Sequence, residues 1–102
     1  MTVYVDWPMG CGRTPFWRWD TVTYLVADSA GELHAFAARL GLKRPWFQAG
    51  VRHVLPHYDL TENKYTQALA LGAVQLTRKT LREVFRKIRE SYQARTWGGA
   101  GG

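Results

Sequence analysis

TVTYLVADSAGELHAFAARLG, residues 21–41, joins two patterns whose succession sets the fold class. Residues 21–27 (TVTYLVA) are β-branched and apolar without alternation, the pattern of a strand covered on both faces and interior to its sheet. Asp28 and Ser29 break that run, and Ser29 with Glu32 three residues on makes a capping box that starts a helix. Leu33, Phe36, Ala37 and Leu40 then fall at i, i+3, i+4 and i+7, forming one apolar face, and Gly41 supplies the left-handed residue that closes the helix. A covered strand followed at once by an amphipathic helix over residues 30–40 predicts an α/β domain.

Outward from this unit, residues 2–6 (TVYVD) read as a first strand stopped by Trp7-Pro8. Residues 9–20 hold Gly10, Gly12, Pro15, two tryptophans and two arginines with no period of 2 or 3.6, and read as irregular. On the other side, residues 43–50 open on a proline-limited turn and read as a brief strand. Pro56 places any strand within residues 51–60 at an edge, or ends it at Leu55. Thr61 caps a helix running through Leu71, with Tyr65, Ala68 and Leu69 inward and Gly72 at its end. Residues 73–76 are a short strand. Thr77 caps a last helix whose apolar residues Leu81, Val84, Phe85, Ile88 and Tyr92 are spaced 3, 1, 3 and 4 apart, with Phe85 and Ile88 read as the centre of the face. The order β-β-α-β-α-β-α predicts one α/β domain over residues 1–95, a small and mainly parallel sheet packed by about three helices. A flexible Gly-rich tail is expected over residues 96–102.

At 102 residues and 46% hydrophobic, the chain has the length and apolar content for one core but not two. No run approaches the roughly 18 apolar residues of a membrane span, and the start lacks the basic-then-apolar pattern of a signal peptide. Cys11 is the only cysteine, which excludes an intrachain disulfide and a thiolate-rich zinc site and points to the reducing cytoplasm. The positive charge is local. Residues 1–60 hold 6 Lys+Arg against 5 Asp+Glu, whereas residues 61–102 hold 8 against 3. With Leu81 at zero on a wheel of about 100° per residue, Arg78, Arg89, Arg82 and Arg86 lie near 60°, 80°, 100° and 140°. Four arginines therefore share one stripe, which suits a phosphate-bearing ligand or, alternatively, a solvated flank over the core edge.

Three further constellations carry chemistry. Asp6 and Asp28 each follow an expected strand, and in a parallel sheet both would face one crevice. With His57 and Asp59 they would bind a divalent metal for phosphate-ester hydrolysis; the plain alternative is that the two aspartates serve a turn and a cap. In His57-Tyr58-Asp59 the carboxylate can orient the imidazole, as a general base requires, or the three can form a loop network. His53 and His57 are four apart, but Pro56 between them removes the helical geometry of a zinc pair. His34 borders the apolar stripe of the first helix, a boundary residue or a ligand contact. Trp17 and Trp19 cluster with Trp7, Phe16, Arg13 and Arg18, a mixture that stacks a base and holds a phosphate, lids the sheet, or docks a protein. No G-x-x-x-x-G-K-[ST] or G-x-G-x-x-G is present. Gly10-Cys11-Gly12-Arg13 is only a short loop, and Cys11 lacks the adjoining helix start that activates a nucleophile.

Val3-Tyr4-Val5-Asp6, Leu25-Val26-Ala27-Asp28-Ser29, Glu32-Leu33-His34-Ala35-Phe36-Ala37, Leu40-Gly41-Leu42, Trp46-Phe47-Gln48, His57-Tyr58-Asp59 and Leu71-Gly72-Ala73-Val74 occur in that order. In this combination the chain resembles the bacterial and phage family known as domain of unknown function 4031, over most of residues 1–90. Tyr24 stands where that resemblance leads one to expect a histidine. The resemblance implies an intact domain and marks Asp6, Asp28, His34, His57 and Asp59 as its polar set, without naming a reaction.

Together these readings predict a binding module, rather than an enzyme, for a phosphate-bearing ligand, either a nucleotide or a nucleic acid. Its contacts would be Arg78, Arg82, Arg86 and Arg89 on the last helix, Trp17, Trp19, Arg13 and Arg18 in the loop, and His34 and His57. No cofactor and no resident metal are expected. The alternatives are a metal-dependent phosphoesterase or nuclease acting through Asp6, Asp28, His57 and Asp59, and a small protein-interaction or inhibitor module.

Overall fold

The computed structural model describes residues 2–15, 17–50 and 55–100, with side chains described through Tyr92. The run expected as an interior strand is β3 (Thr21–Ala27), and it takes partners on both edges. β1 (Val3–Val5) lies antiparallel on one edge with Val5 opposite Leu25; β4 (Tyr58–Leu60) lies antiparallel on the other with Tyr58 opposite the same leucine. β2 (Met9–Gly10), in the segment read as irregular, pairs with the start of β3, Met9 opposite Val22. From Val5 to Met9 the chain uses one residue more than β3 does opposite it, so β1 and β2 form one edge interrupted by a bulge over residues 6–8.

β5 (Val74–Gln75) adds alongside β1 and makes the one parallel pair among the described strands. The sheet is thus mixed and mostly antiparallel, not mainly parallel as expected. A parallel neighbour requires a crossover, usually a helix. Residues 6–20 supply none among those described, and the chain turns straight back into β3.

Both faces of β3 are covered, which is why its sequence does not alternate. Leu25 and Ala27, with Val5, Tyr58 and Leu60, pack on Leu33, Phe36, Ala37 and Leu40 at α1 (Ala30–Arg39) and on Ala68 of α2 (Glu62–Ala70). Val26 and Tyr4 face the other way and pack with Leu55, Leu76 and Ile88, the last from α3 (Arg78–Ala100). The predicted caps form. Ser29 Oγ accepts the Glu32 N–H at 3.3 Å and Thr61 Oγ1 that of Lys64 at 3.2 Å. Thr77 and Thr80 cap each other, each hydroxyl accepting the other's N–H at 3.3 and 3.0 Å. Gly41 (φ +80°) and Gly72 (φ +104°) turn the chain out of α1 and α2.

Four local expectations change. Residues 44–46 form a 3-10 turn with Pro45 in its first positions, not a strand. The edge strand follows Pro56 instead of ending before it, because proline donates no N–H; pairing begins at His57, which exchanges both backbone bonds with Gln48 at 2.9 Å. Residues 51–54, His53 included, lie outside the described residues. Leu69, expected inward, is exposed, and Ala68 fills that place. α3 carries helical backbone through residues 96–100, expected in the tail, since extending a formed helix needs no new nucleus. Residues 101–102 lie outside the described residues. No helix among those described is long and apolar enough to cross a membrane.

Candidate functional site

The bulge between β1 and β2 sets the site. Where the backbone ladder is interrupted, the Asp6 carboxylate stands in for a carbonyl, with Oδ1 accepting the Tyr24 N–H at 2.8 Å while the Asp6 N–H donates to Tyr24 O at 3.2 Å. Gln75 closes the other side: its amide nitrogen donates to the carbonyls of Asp6 (2.7 Å) and Leu76 (3.0 Å), and its Oε1 accepts the Tyr65 hydroxyl. The polar end of β1 is therefore satisfied and rigid.

Tyr24 lies opposite Asp59 in the β3–β4 register, so the two side chains leave the same face of the sheet. The His57 ring stacks on Tyr24, with centroids 4.2 Å apart and planes at 28°. It is 3% exposed. Its Nδ1 is 2.7 Å from Leu55 O and its Nε2 3.3 Å from Asp59 Oδ1. A carbonyl and a carboxylate both only accept, so these two partners favour hydrogen on both ring nitrogens, the imidazolium form of His57. Gln48 Nε2 donates to Asp59 Oδ2 at 2.5 Å.

Burial pushes the Asp6 carboxyl up to about 6, against the lowering pull of the Tyr24 N–H and the charge of His57. Burial opposes charge on His57 too, but the Asp59 hydrogen bond, the Leu55 carbonyl and the charges of Asp59 and Asp6 outweigh it, so His57 is raised. Burial, with the charges of Asp59 and Asp6, raises the Tyr24 phenol.

Beside this cluster opens a cleft of about 800 Å³ whose lining includes Trp17, Trp19, Tyr24, Trp46, Gln48 and Asp59. Trp17 and Trp19 meet edge to face at 4.8 Å, and Trp17 is fixed by its indole N–H on Thr21 O at 3.0 Å. Trp19 and Trp46 are 43% and 53% exposed. Arg18 lies over the Trp19 ring at 5.8 Å and Lys43 over Trp46 at 5.7 Å. Lys64 lines the cleft with its Nζ on Leu40 O at 2.6 Å.

The expected site residues divide. Trp17, Trp19, His57 and Asp59 gather at or behind the cleft, with Asp6 beside them. Asp28 does not. Antiparallel pairing puts the ends of β1 and β3 at opposite ends of the sheet: Asp6 sits beside Tyr24, whereas Asp28 Oδ2 accepts the Thr2 N–H at 3.0 Å. The shared crevice expected for the two aspartates required a parallel pair, and it does not form. No group of three or more His, Cys, Asp or Glu among the described residues is placed to hold a metal ion. Arg13 is engaged by Asp20 at 2.7 and 3.0 Å. His34 binds the Tyr58 hydroxyl at 2.8 Å through Nδ1 and meets Phe47 edge-on, away from the cleft; burial and then the charge of Arg44 lower its pKa. Arg78 reaches Trp7 at 5.8 Å, Arg82 and Arg86 are exposed along α3, and Arg89 is half-buried there. None of the four arginines is among the residues lining the cleft, although Arg78 meets Trp7 of the expected aromatic cluster.

Sequence reasoning missed Tyr24, Trp46, Gln48, Lys64 and Gln75. Trp46-Phe47-Gln48 is legible in the sequence only as a recurring signature, and what gives it a role is the bridge that sets Gln48 against His57.

The fold and cleft define a small three-layer α/β protein whose aromatic cavity is backed by a histidine–carboxylate pair, the imidazole buried and the carboxylate at the wall. The chain belongs to the protein family of unknown function DUF4031, whose model matches residues 3–88. No curated protein and no solved structure matches it.

Proposed function

We propose that the protein is a nucleotide-binding module whose base lies in the tryptophan-lined cleft. The observation that carries this reading is the cleft itself: its volume is that of a small-molecule site, and four aromatic side chains line it together with the polar groups of Gln48, Asp59, Thr61 and Lys64. Arg18 and Lys43 sit on the rings of Trp19 and Trp46, and Lys64 adds a third cation, so a base stacked inside directs its phosphate toward positive charge. This retains a phosphate-bearing ligand but moves its contacts from Arg82 and Arg86 to the cleft. One cysteine and no disulfide suit a cytoplasmic setting.

Titration with mononucleotides, followed by tryptophan fluorescence, tests the reading. Losing one stacking partner is worth about 1–3 kcal/mol, so Trp19→Ala and Trp46→Ala are each expected to weaken binding by about 5- to 150-fold. The double change Arg82→Ala and Arg86→Ala should leave affinity within about threefold and the fold intact. Undiminished binding in both tryptophan variants would move the ligand off the cleft. A steep salt dependence lost in the arginine variant would put it on α3 instead.

A further inference from the structure

The cleft's polar groups distinguish one base edge from the others, an inference that rests on the nucleotide reading above. Some donors around the cavity are engaged: the Trp17 indole N–H on Thr21 O, one Lys64 ammonium N–H on Leu40 O, and one Gln48 amide N–H on Asp59. The acceptors are not exhausted. Each Asp59 oxygen has two lone pairs and spends one, Oδ1 on His57 and Oδ2 on Gln48. The Asp59 side chain remains 26% exposed and lines the cavity, whereas its imidazolium partner is sealed behind it. The orientation of Gln48 follows from chemistry, because its amide nitrogen must face the carboxylate; its carbonyl oxygen is then a further acceptor at the wall.

We propose that the cleft selects guanine, through bidentate acceptance of guanine N1–H and N2–H by the Asp59 carboxylate. Guanine alone among the common bases carries two adjacent donors on that edge. Adenine and cytosine place an acceptor beside their amino group, and uracil flanks a single N–H with carbonyls; each sets a lone pair against the carboxylate. His57 is a positioning residue in this arrangement. It holds one Asp59 oxygen in place, and Gln48 fixes the second.

The 102-residue chain is titrated with GMP, IMP, AMP, CMP, UMP and XMP, read by tryptophan fluorescence and calorimetry. GMP is expected to bind about 10- to 100-fold more tightly than AMP, CMP or UMP, the discrimination typical of a bidentate pair, with IMP between them because it lacks the amino group. Asp59→Asn should abolish that preference and transfer it to XMP, whose C2 carbonyl accepts from the new amide while N1–H donates to its oxygen. A gain of binding cannot arise from misfolding. Gln48→Ala, outside the His57–Asp59 pair, should narrow the GMP preference without abolishing nucleotide binding. Equal affinity for all six nucleotides would overturn guanine selection while leaving the nucleotide reading in place. A GMP preference that persists in both variants would remove Asp59 as its source. No response to any nucleotide would overturn the nucleotide reading, and the selection with it.

Discussion

Ile88→Ala is expected to lower stability by about 2–5 kcal/mol, and Phe85→Ala, on the same helix, by distinctly less. Ile88 is wholly buried against Tyr4, Val26, Leu55 and Leu76, so truncation removes its transfer energy and leaves a cavity that a sheet on one side cannot collapse to fill. Phe85 is only partly buried against the same cluster. On the helical wheel Phe85 stands about 60° from Ile88, toward the arginine flank, whereas Ile88, Leu81 and Tyr92 lie within about 40° of one another. For a domain of about this size, each kcal/mol shifts Tm by about 4–8 °C, so Ile88→Ala should unfold about 8–40 °C earlier. Thermal and urea melts of the two variants check the order. A larger loss for Phe85→Ala would mean that α3 sits on the sheet in a different rotation.

The second large effect is in pH. The folded protein holds the Asp6 proton with a pKa of about 6, against about 4 for an unfolded aspartate, so folding takes up a proton between those values. That stabilisation is complete below about pH 4, and as pH rises through 6 it is lost, by as much as about 3 kcal/mol. His57 acts in the same direction at higher pH. Its folded pKa lies above the ordinary value of 6.5, so its contribution is present below that pH and disappears as pH rises through the folded value. Stability is therefore expected to decline from pH 4 to 8, opposite to proteins whose paired carboxylates make them acid-labile. Melting curves at intervals across this range give the slope. In Asp6→Asn, whose side-chain carbonyl can still accept the Tyr24 N–H, the slope between pH 4 and 6 should flatten while the fall above pH 6.5 persists. A parent protein that gains stability from pH 4 to 7 would show that Asp6 is not held protonated by burial.

Much was legible in the chain because it depends on residues close in sequence. The unalternating run of residues 21–27, the caps at Ser29, Thr61 and Thr77, the turns at Gly41 and Gly72, and the period of residues 81–92 are local patterns, and each sits where the pattern placed it. His57-Tyr58-Asp59 was also visible as a polar cluster, because residues two apart on an extended chain share a face.

What the chain could not determine alone was direction and partnership across the sheet. Sequence does not encode whether β1 and β3 run parallel, and that choice separates Asp6 from Asp28 by about 13 Å of strand. Nor does it show that Gln48 bridges to His57, that Tyr24 lies opposite Asp59, or that Trp46 closes a cavity with Trp17 and Trp19. Local periodicity settles which residues are covered, because burial follows from the spacing of apolar side chains along one element. The site depends on contacts between elements far apart in sequence, and strand register and the bulge at residues 6–8 decide those.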